Sequence, residues 1–255
     1  MNSFDLPIDW ALGLALGTVR TGAFVAAGGL IPRSMPRTVR ATPAIAFGIL
    51  IGRPLTTQPD VAHLVTLAVM NAFIGFSLGW LLGLALQRFQ TAGAFIDVTS
   101  GLTIGSVFDR ETMNTQGAIS RIVDHAAMTL VIIGGGLGMA AKVVVASVQA
   151  VPLDGSLHSA AIVGPVAGRA LSTVVRAGLE LALPVVGVLF LIELTLGLVA
   201  RAAPQMNAFL LGMPVKILTT MMLVGGLVVV FPANAQRAVA DAVASVRTVL
   251  RAFAG

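Results

Sequence analysis

The sequence predicts an all-α, polytopic membrane protein built of helical hairpins. Of its 255 residues, 56% are hydrophobic and 11% are charged, whereas about 25% of an average soluble domain is charged. The mean hydropathy is +0.94, and a soluble surface needs more charge than this chain has. Glycines and charges also recur inside the apolar segments, which suits helices packed on protein better than independent spans.

Residue types that carry most catalysis and metal binding are sparse. The chain has no Cys, and His63, His125 and His158 are far apart, without the spacing of metal ligands. We therefore expect no catalytic residue, cofactor or metal site. The net charge of +5 comes from scattered Arg rather than Lys. Such Arg residues beside apolar segments are typical of membrane flanks and do not indicate nucleic-acid binding.

The first two apolar segments are predicted to form a hairpin. Residues 8–31 form the first and contain Arg20, and their acidic N-terminal flank differs from the basic start of a signal peptide. A basic turn broken by prolines lies between Pro32 and Arg40. The second segment, residues 41–52, is too short to cross a bilayer upright.

The strongest predicted span is residues 61–88. Three of its glycines are spaced four apart: Gly75, Gly79 and Gly83. Residues at this spacing share one helical face, where glycines let another backbone approach closely. The three glycines therefore predict a helix-packing seam. Gly13 and Gly17 repeat the spacing only once, and the general abundance of Gly in membrane helices explains a single pair better.

A polar region separates the first and second halves of the chain. Asp97 lies on a Gly-rich face after residue 88, either in a solvated flank, which is slightly favoured, or against a partner chain. The most polar stretch is the loop Gly105, Ser106, Val107, Phe108, Asp109, Arg110, Glu111, Thr112, Met113, Asn114, Thr115, Gln116 and Gly117. It is longer than the roughly 2–8 residues of an ordinary helix connection, and such loops tend to be functional or mobile.

The second half begins with two long segments that carry charges. Residues 119–150 contain the cluster Gly134 to Gly138, which indicates close helix packing or a break. Residues 169–201 contain Arg176 and Glu180, which are four apart and can meet on one face. Glu193 in the same segment has no such local partner. We expect it near water or satisfied by another subunit.

The last two segments differ from each other in kind. Residues 215–231 are the final apolar run. Residues 235–253 have apolar side chains stepping by four and three, while Arg237 and Arg247 avoid that line. This pattern predicts a C-terminal amphipathic helix, lying on the membrane surface or against a partner.

Two motifs carry a family resemblance. The first consists of Gly197, Arg201, Pro204, Gln205, Asn207, Phe209, Gly212, Pro214 and Lys216. The second consists of Gln90, Gly93, Asp97 and Gly101, followed by Phe108 and Asp109. Together they resemble the hallmark regions of the FliR family of flagellar biosynthesis proteins and its type III secretion relatives. The hydropathy pattern extends the resemblance over essentially the whole chain, residues 1–255, as one helical domain.

The resemblance implies a function and partners. It implies a non-catalytic core subunit of the flagellar type III export gate, in a hetero-oligomeric assembly with FliP-like, FliQ-like and FlhB-like subunits. The implied location is the flagellar basal body in the bacterial inner membrane, and the implied cargo is unfolded exported polypeptides. Residues 105–117 would then form a plug that lies in the channel near its constriction.

Three other functions stay open at this point. The protein could be an injectisome homologue of the same export apparatus. It could be a small secondary transporter that uses Asp124, Glu180 or Glu193, although the internal repeat expected of such transporters is not evident. A membrane enzyme would need converging catalytic groups, and the carboxylates and His residues are dispersed.

Overall fold

The computed structural model consists of α-helices and short connections. It describes residues 8–28, 36–55, 60–103, 117–155, 160–203, 205, 207–227 and 229–254. The helices within these residues are α1 (Ile8–Gly28), α2 (Arg37–Ile51), α3 (Val61–Ser100), α4 (Ala118–Ile133), α5 (Gly136–Ala150), α6 (Val163–Ala202), α7 (Ala208–Leu227) and α8 (Phe231–Ala254). This part of the chain contains no strand, so the predicted all-α fold is confirmed.

Several of these helices could cross a membrane. Among the described residues, α1, α3 and α6 are each long and apolar enough to do so. Two further spans result if α4 with α5, and α7 with α8, are each counted as one broken span. These numbers agree with a polytopic membrane protein.

Some helix bounds differ from the predicted segments. Helix α3 continues twelve residues beyond residue 88, to Ser100. The predicted segment 119–150 is two helices, because Gly135 has a φ of 85° and separates α4 from α5. Only glycine adopts this left-handed conformation readily. Helix α7 begins at Ala208, and Pro214 lies inside it.

The chain divides into two compact units. The first contains the described residues within 1–85, 134–171 and 239–255, and the second those within 86–133 and 172–238. The chain runs between the units within α3, α6 and α8, and between α4 and α5.

The first unit is built on backbone contacts of α1. A Cβ added to Gly75, Gly79 or Gly83 would meet the carbonyl oxygen of Arg20, Phe24 or Gly28, respectively. The two sets share a spacing of four, so their faces run together along both helices. On α1, Gly13 and Gly17 similarly face the backbone carbonyls of Arg53 and Gly48. The single glycine pair is therefore also a packing site.

The second unit has an apolar core with two aromatic rings. Phe89 is fully buried and meets Phe231 edge to face, with ring centroids 5.7 Å apart and planes at 70°. Leu189 of α6 and Val123 of α4 are also buried. Gly178 lets α6 approach α3, because a Cβ there would crowd the side chain of Thr91.

The C-terminal helix α8 is amphipathic, but its apolar face is not free. Ala238, Val246, Val249 and Phe253 are buried within the protein. Because this chain already covers that face, the expected placement on a membrane surface or against a partner is not needed to explain the pattern. The Arg side chains of the opposite face remain exposed.

Candidate functional site

Asp97 joins α3 to the beginning of α4 in the second unit. Asp97 is 2% exposed. Its Oδ1 accepts a hydrogen bond from the Ile119 N–H at 3.0 Å, and its Oδ2 accepts two from Ser120, from the N–H at 2.8 Å and the hydroxyl at 2.5 Å. A carboxylate is favourable here because the first turn of a helix has free N–H groups and a positive partial charge. The expectation of a solvated flank or a partner chain for Asp97 is therefore wrong.

Glycines allow this close approach. A Cβ on Gly117 would occupy the position of the Asp97 carboxylate, and a Cβ on Gly93 would lie 2.6 Å from the Ser120 Cα. Gly117 immediately precedes α4, where an N-cap side chain normally accepts hydrogen bonds from the same N–H groups. Asp97 thus supplies, from α3, the cap that Gly117 lacks.

Two further features define this helical hairpin. Gln90 Nε2 donates a hydrogen bond to Asp124 Oδ1 at 2.8 Å, about two turns of α3 before Asp97. Gly101, with a φ of 81°, follows the last residue of α3. In the FliR-like motif Gln90, Gly93, Asp97 and Gly101, three residues thus contact α4 and its beginning, and the fourth marks the end of α3.

A cavity of about 350 Å³ opens at the base of the hairpin. Thr103, which precedes the predicted plug loop, and Gly117, the last residue of that loop, both line the cavity, together with Asp97 and Ser120. The chain therefore leaves and re-enters this part of the unit at the same place. Of the predicted loop, Gly117 is described and buried, and residues 105–116 lie outside the described residues.

The first motif, from Gly197 to Lys216, surrounds the connection from α6 to α7. Asn207 Oδ1 accepts a hydrogen bond from the Leu210 N–H at 3.2 Å and so caps α7. Gly212 is buried, and a Cβ there would crowd the Leu196 side chain. Helix α7 continues through Pro214. Gly197 and Arg201 lie in α6 and Gln205 lies in the connection, and all three are exposed. Pro204 and the Phe209 side chain lie outside the described residues.

Glu193 has a partner in its own chain. Its Oε1 lies 3.0 Å from Nζ of Lys216, the last motif residue, and this ion pair joins α6 to α7. The Glu193 side chain is 61% exposed and that of Lys216 is 16% exposed. Glu193 thus has a partner on the next helix, and its largely exposed carboxylate does not contradict the expectation that it lies near water or another subunit.

Sequence reasoning missed the buried polar cluster around Arg20 in the first unit. Arg20 is 1% exposed. Its Nε donates to Asn71 Oδ1 at 2.8 Å, and its Nη1 donates to the carbonyl oxygens of Ser147 at 3.0 Å and Val151 at 2.8 Å. Asn71 Nδ2 in turn donates to the Leu153 carbonyl at 3.0 Å. The only signal in the sequence was a charge inside an apolar segment.

These charged and polar groups do not converge on one reaction centre. The carboxylates considered for a transporter each have a nearby partner: Asp124 meets Gln90, Glu180 meets Arg176 at 2.8 Å, and Glu193 meets Lys216. The described residues contain no group of three His, Asp or Glu that could hold a metal ion. Fold and site together define a polytopic helical membrane protein whose described internal polar contacts join helices.

Comparison with known proteins gives the family. Residues 11–242 match the family described as bacterial export proteins, family 1. The chain is 29% identical over 212 residues to the flagellar biosynthetic protein FliR of Escherichia coli K12, covering 82% of this chain and 78% of the relative. It is 28% identical over 231 residues to FliR of Bacillus subtilis 168, covering 85% of each.

A relative with another name also matches. The surface presentation of antigens protein SpaR of Salmonella typhimurium is 31% identical over 153 residues, covering 60% of this chain and 57% of the relative. The chain belongs to the FliR family of bacterial export proteins. The resemblance drawn from the two motifs is thereby confirmed, and the protein is a component of a bacterial protein-export apparatus.

Proposed function

We propose that the protein is a non-catalytic core subunit of the flagellar type III export gate, which helps to form and seal the channel for unfolded flagellar proteins. The observation that carries this proposal is the similarity to two FliR proteins over 82% and 85% of the chain. The similarity to SpaR covers 60%, and it keeps an injectisome export apparatus as the second candidate. The proposed location is the flagellar basal body in the bacterial inner membrane.

Helix α6 supports the proposal that other subunits surround the protein. It carries Glu180 and Glu193, and the stretch without charges between them, residues 181–192, is 12 residues long. At about 1.5 Å per residue, this stretch covers roughly 18 Å, whereas the hydrocarbon core of a bilayer is about 30 Å thick. A lipid-facing α6 would therefore place at least one of these carboxylates in hydrocarbon.

The same helix exposes a long row of large apolar side chains. They include Leu179, Leu183, Phe190, Leu191, Leu194 and Leu198. Because lipid cannot cover this whole row without also covering charges, protein is the more favourable neighbour. FliP-like, FliQ-like and FlhB-like subunits are the partners we propose, with exported unfolded polypeptides in the channel.

The proposed seal is the polar loop of residues 105–117. Polar side chains and glycines at both ends suit a segment that blocks ions at rest and yields to a passing polypeptide. Its support in the described residues is that Thr103 and Gly117 line one cavity. The described residues on either side of residues 105–116 therefore lie at the same cavity.

A loop replacement in the assembled complex tests the seal. Residues 105–116 are replaced by a short Gly-Ser linker, and Gly117 is kept because it packs against Asp97. A Gly-Ser linker of the original length serves as the matched control for chain length. We expect the shortened complex to conduct ions or small solutes at rest, measured in cells or proteoliposomes. An intact complex with unchanged resting permeability would refute the plug.

A further inference from the structure

We infer that Asp97 is a positioning residue for the seal, because it fixes where the chain between α3 and α4 re-enters the helical hairpin. This inference rests on the proposed plug function of residues 105–117. It concerns described atoms only: the Asp97 carboxylate, the beginning of α4 and the adjacent glycines.

The hydrogen bonds that the structure describes for the Asp97 carboxylate reach the first turn of α4. Its two oxygens accept from Ile119 and Ser120, which are the second and third residues of that helix. An N-cap residue normally provides this acceptor from within its own segment. Here the acceptor belongs to α3, so the same contact that caps α4 also ties it to α3.

The fit around Asp97 leaves little freedom. A Cβ on Gly117 would overlap the carboxylate, and Gly93 places the α3 backbone against Ser120. Any shift of α4 along or away from α3 therefore either breaks these hydrogen bonds or makes atoms overlap. Gly117 is the last residue of the proposed plug loop, so its position is set directly by the Asp97 carboxylate.

Capping and tethering can be separated by moving the carboxylate. In an Asp97→Ala background, the space next to Gly117 becomes free, and the φ of Gly117 is not in the left-handed region. The double variant Asp97→Ala with Gly117→Asp restores an N-cap within α4's own segment but not the link to α3. If Asp97 only stabilises α4, the double variant should restore the low resting permeability. If Asp97 positions α4 against α3, the double variant should still leak.

The experiment uses the full-length chain in its assembled complex. Resting ion permeability is measured for Asp97→Ala, for the double variant and for Thr99→Val. Thr99 is a matched control because it lies on the same helix and, among the described residues, its hydroxyl donates to the Phe95 carbonyl of that helix. Each change is also made in the complex with the shortened loop.

We expect both Asp97 variants to assemble and to leak about tenfold more than the parent complex, as the loss of one helix cap shifts a local equilibrium. Thr99→Val should stay sealed. With the shortened loop, Asp97→Ala should add no further leak, because the segment that it positions is gone.

The experiment distinguishes failure of the positioning role of Asp97 from failure of the plug itself. If the shortened loop leaks while both Asp97 variants are sealed, the plug stands and the positioning role is wrong. A sealed double variant would reduce Asp97 to a helix cap, and failure of both variants to assemble would assign it to folding. If the shortened loop does not leak, the plug fails and the inference fails with it.

Discussion

Replacing Gly79 tests the contact between α1 and α3 most directly. A Cβ at this position would overlap the Phe24 carbonyl oxygen and lie 2.8 Å from the Phe24 Cα. Carbon atoms pack best at about 3.5–4.0 Å, so Gly79→Ala requires the two backbones to separate by about 1 Å. Gly79→Leu adds three more carbons to the same overlap.

The free-energy cost of Gly79→Leu should lie near the upper end of the range measured for overpacked sites. Inserting carbons into a packed core costs about 1–3 kcal/mol. Separating α1 from α3 would also strain the hydrogen bond from Arg20 to Asn71, because Arg20 lies one turn before Phe24 on α1. We expect about 3 kcal/mol for Gly79→Leu, which is roughly a hundredfold in the ratio of folded to unfolded protein.

The chain offers graded controls for this experiment. A Cβ on Gly28, which faces Gly79, would lie 3.3 Å from the Gly79 carbonyl oxygen, so Gly28→Ala should be mild. A Cβ on Gly22 of α1 would meet no atom within 4 Å, and Ala there should be neutral or slightly stabilising. The assay is the amount of subunit in membranes and the thermal stability of the complex. If Gly79→Ala behaves like Gly22→Ala, the seam is wrongly assigned.

Three further predictions concern polar contacts. Arg20→Lys keeps the charge but loses the planar fork that meets three acceptors, so we expect a loss of about 1–3 kcal/mol; unchanged thermal stability of the complex would contradict this. Glu193→Gln and Lys216→Met should show a coupling of about 0.5–1 kcal/mol in a double-mutant cycle, since the carboxylate is largely exposed; strictly additive losses would mean that the ion pair contributes nothing. Asn207→Leu should lower assembly by removing the cap of α7, at about 1 kcal/mol, and Asn207→Ser should restore it; retained assembly with lost export would instead give Asn207 a direct role in transport.

Local patterns in the sequence identified the features that depend on one helix at a time. The spacing of Gly75, Gly79 and Gly83 placed them on one face, and the pairing of Arg176 with Glu180 followed from a separation of four residues. Such periods are fixed by helix geometry, so they can be predicted from the sequence. The partner of the glycine face was not predictable, because nothing in the spacing indicates which helix lies opposite.

Contacts between helices account for what the sequence did not predict. Asp97 and Glu193 each looked unsatisfied because their partners lie 23 residues away, at Ser120 and Lys216, beyond a chain reversal. The predicted apolar segment ended at residue 88, where the chain becomes more polar. Helix α3 nevertheless continues to Ser100, because capping α4 gives the buried Asp97 the hydrogen bonds that it needs. Tertiary contacts determine the surroundings of Asp97 and Glu193 and the end of α3, and the sequence pattern does not show which helices make those contacts.

The hydrogen bonds of Arg20 set an order of events during synthesis. Asn71 follows Arg20 by 51 residues, and the Ser147 and Val151 carbonyls follow by 127 and 131. At about 5–20 residues per second, the ribosome needs roughly 6–25 s to make the rest of this cluster. Until then, a cation in the middle of the first apolar segment lacks two of its acceptors, and hydrocarbon is a costly place for it. The hydrogen bonds of Arg20 can therefore be completed only after more than half of the chain has been translated.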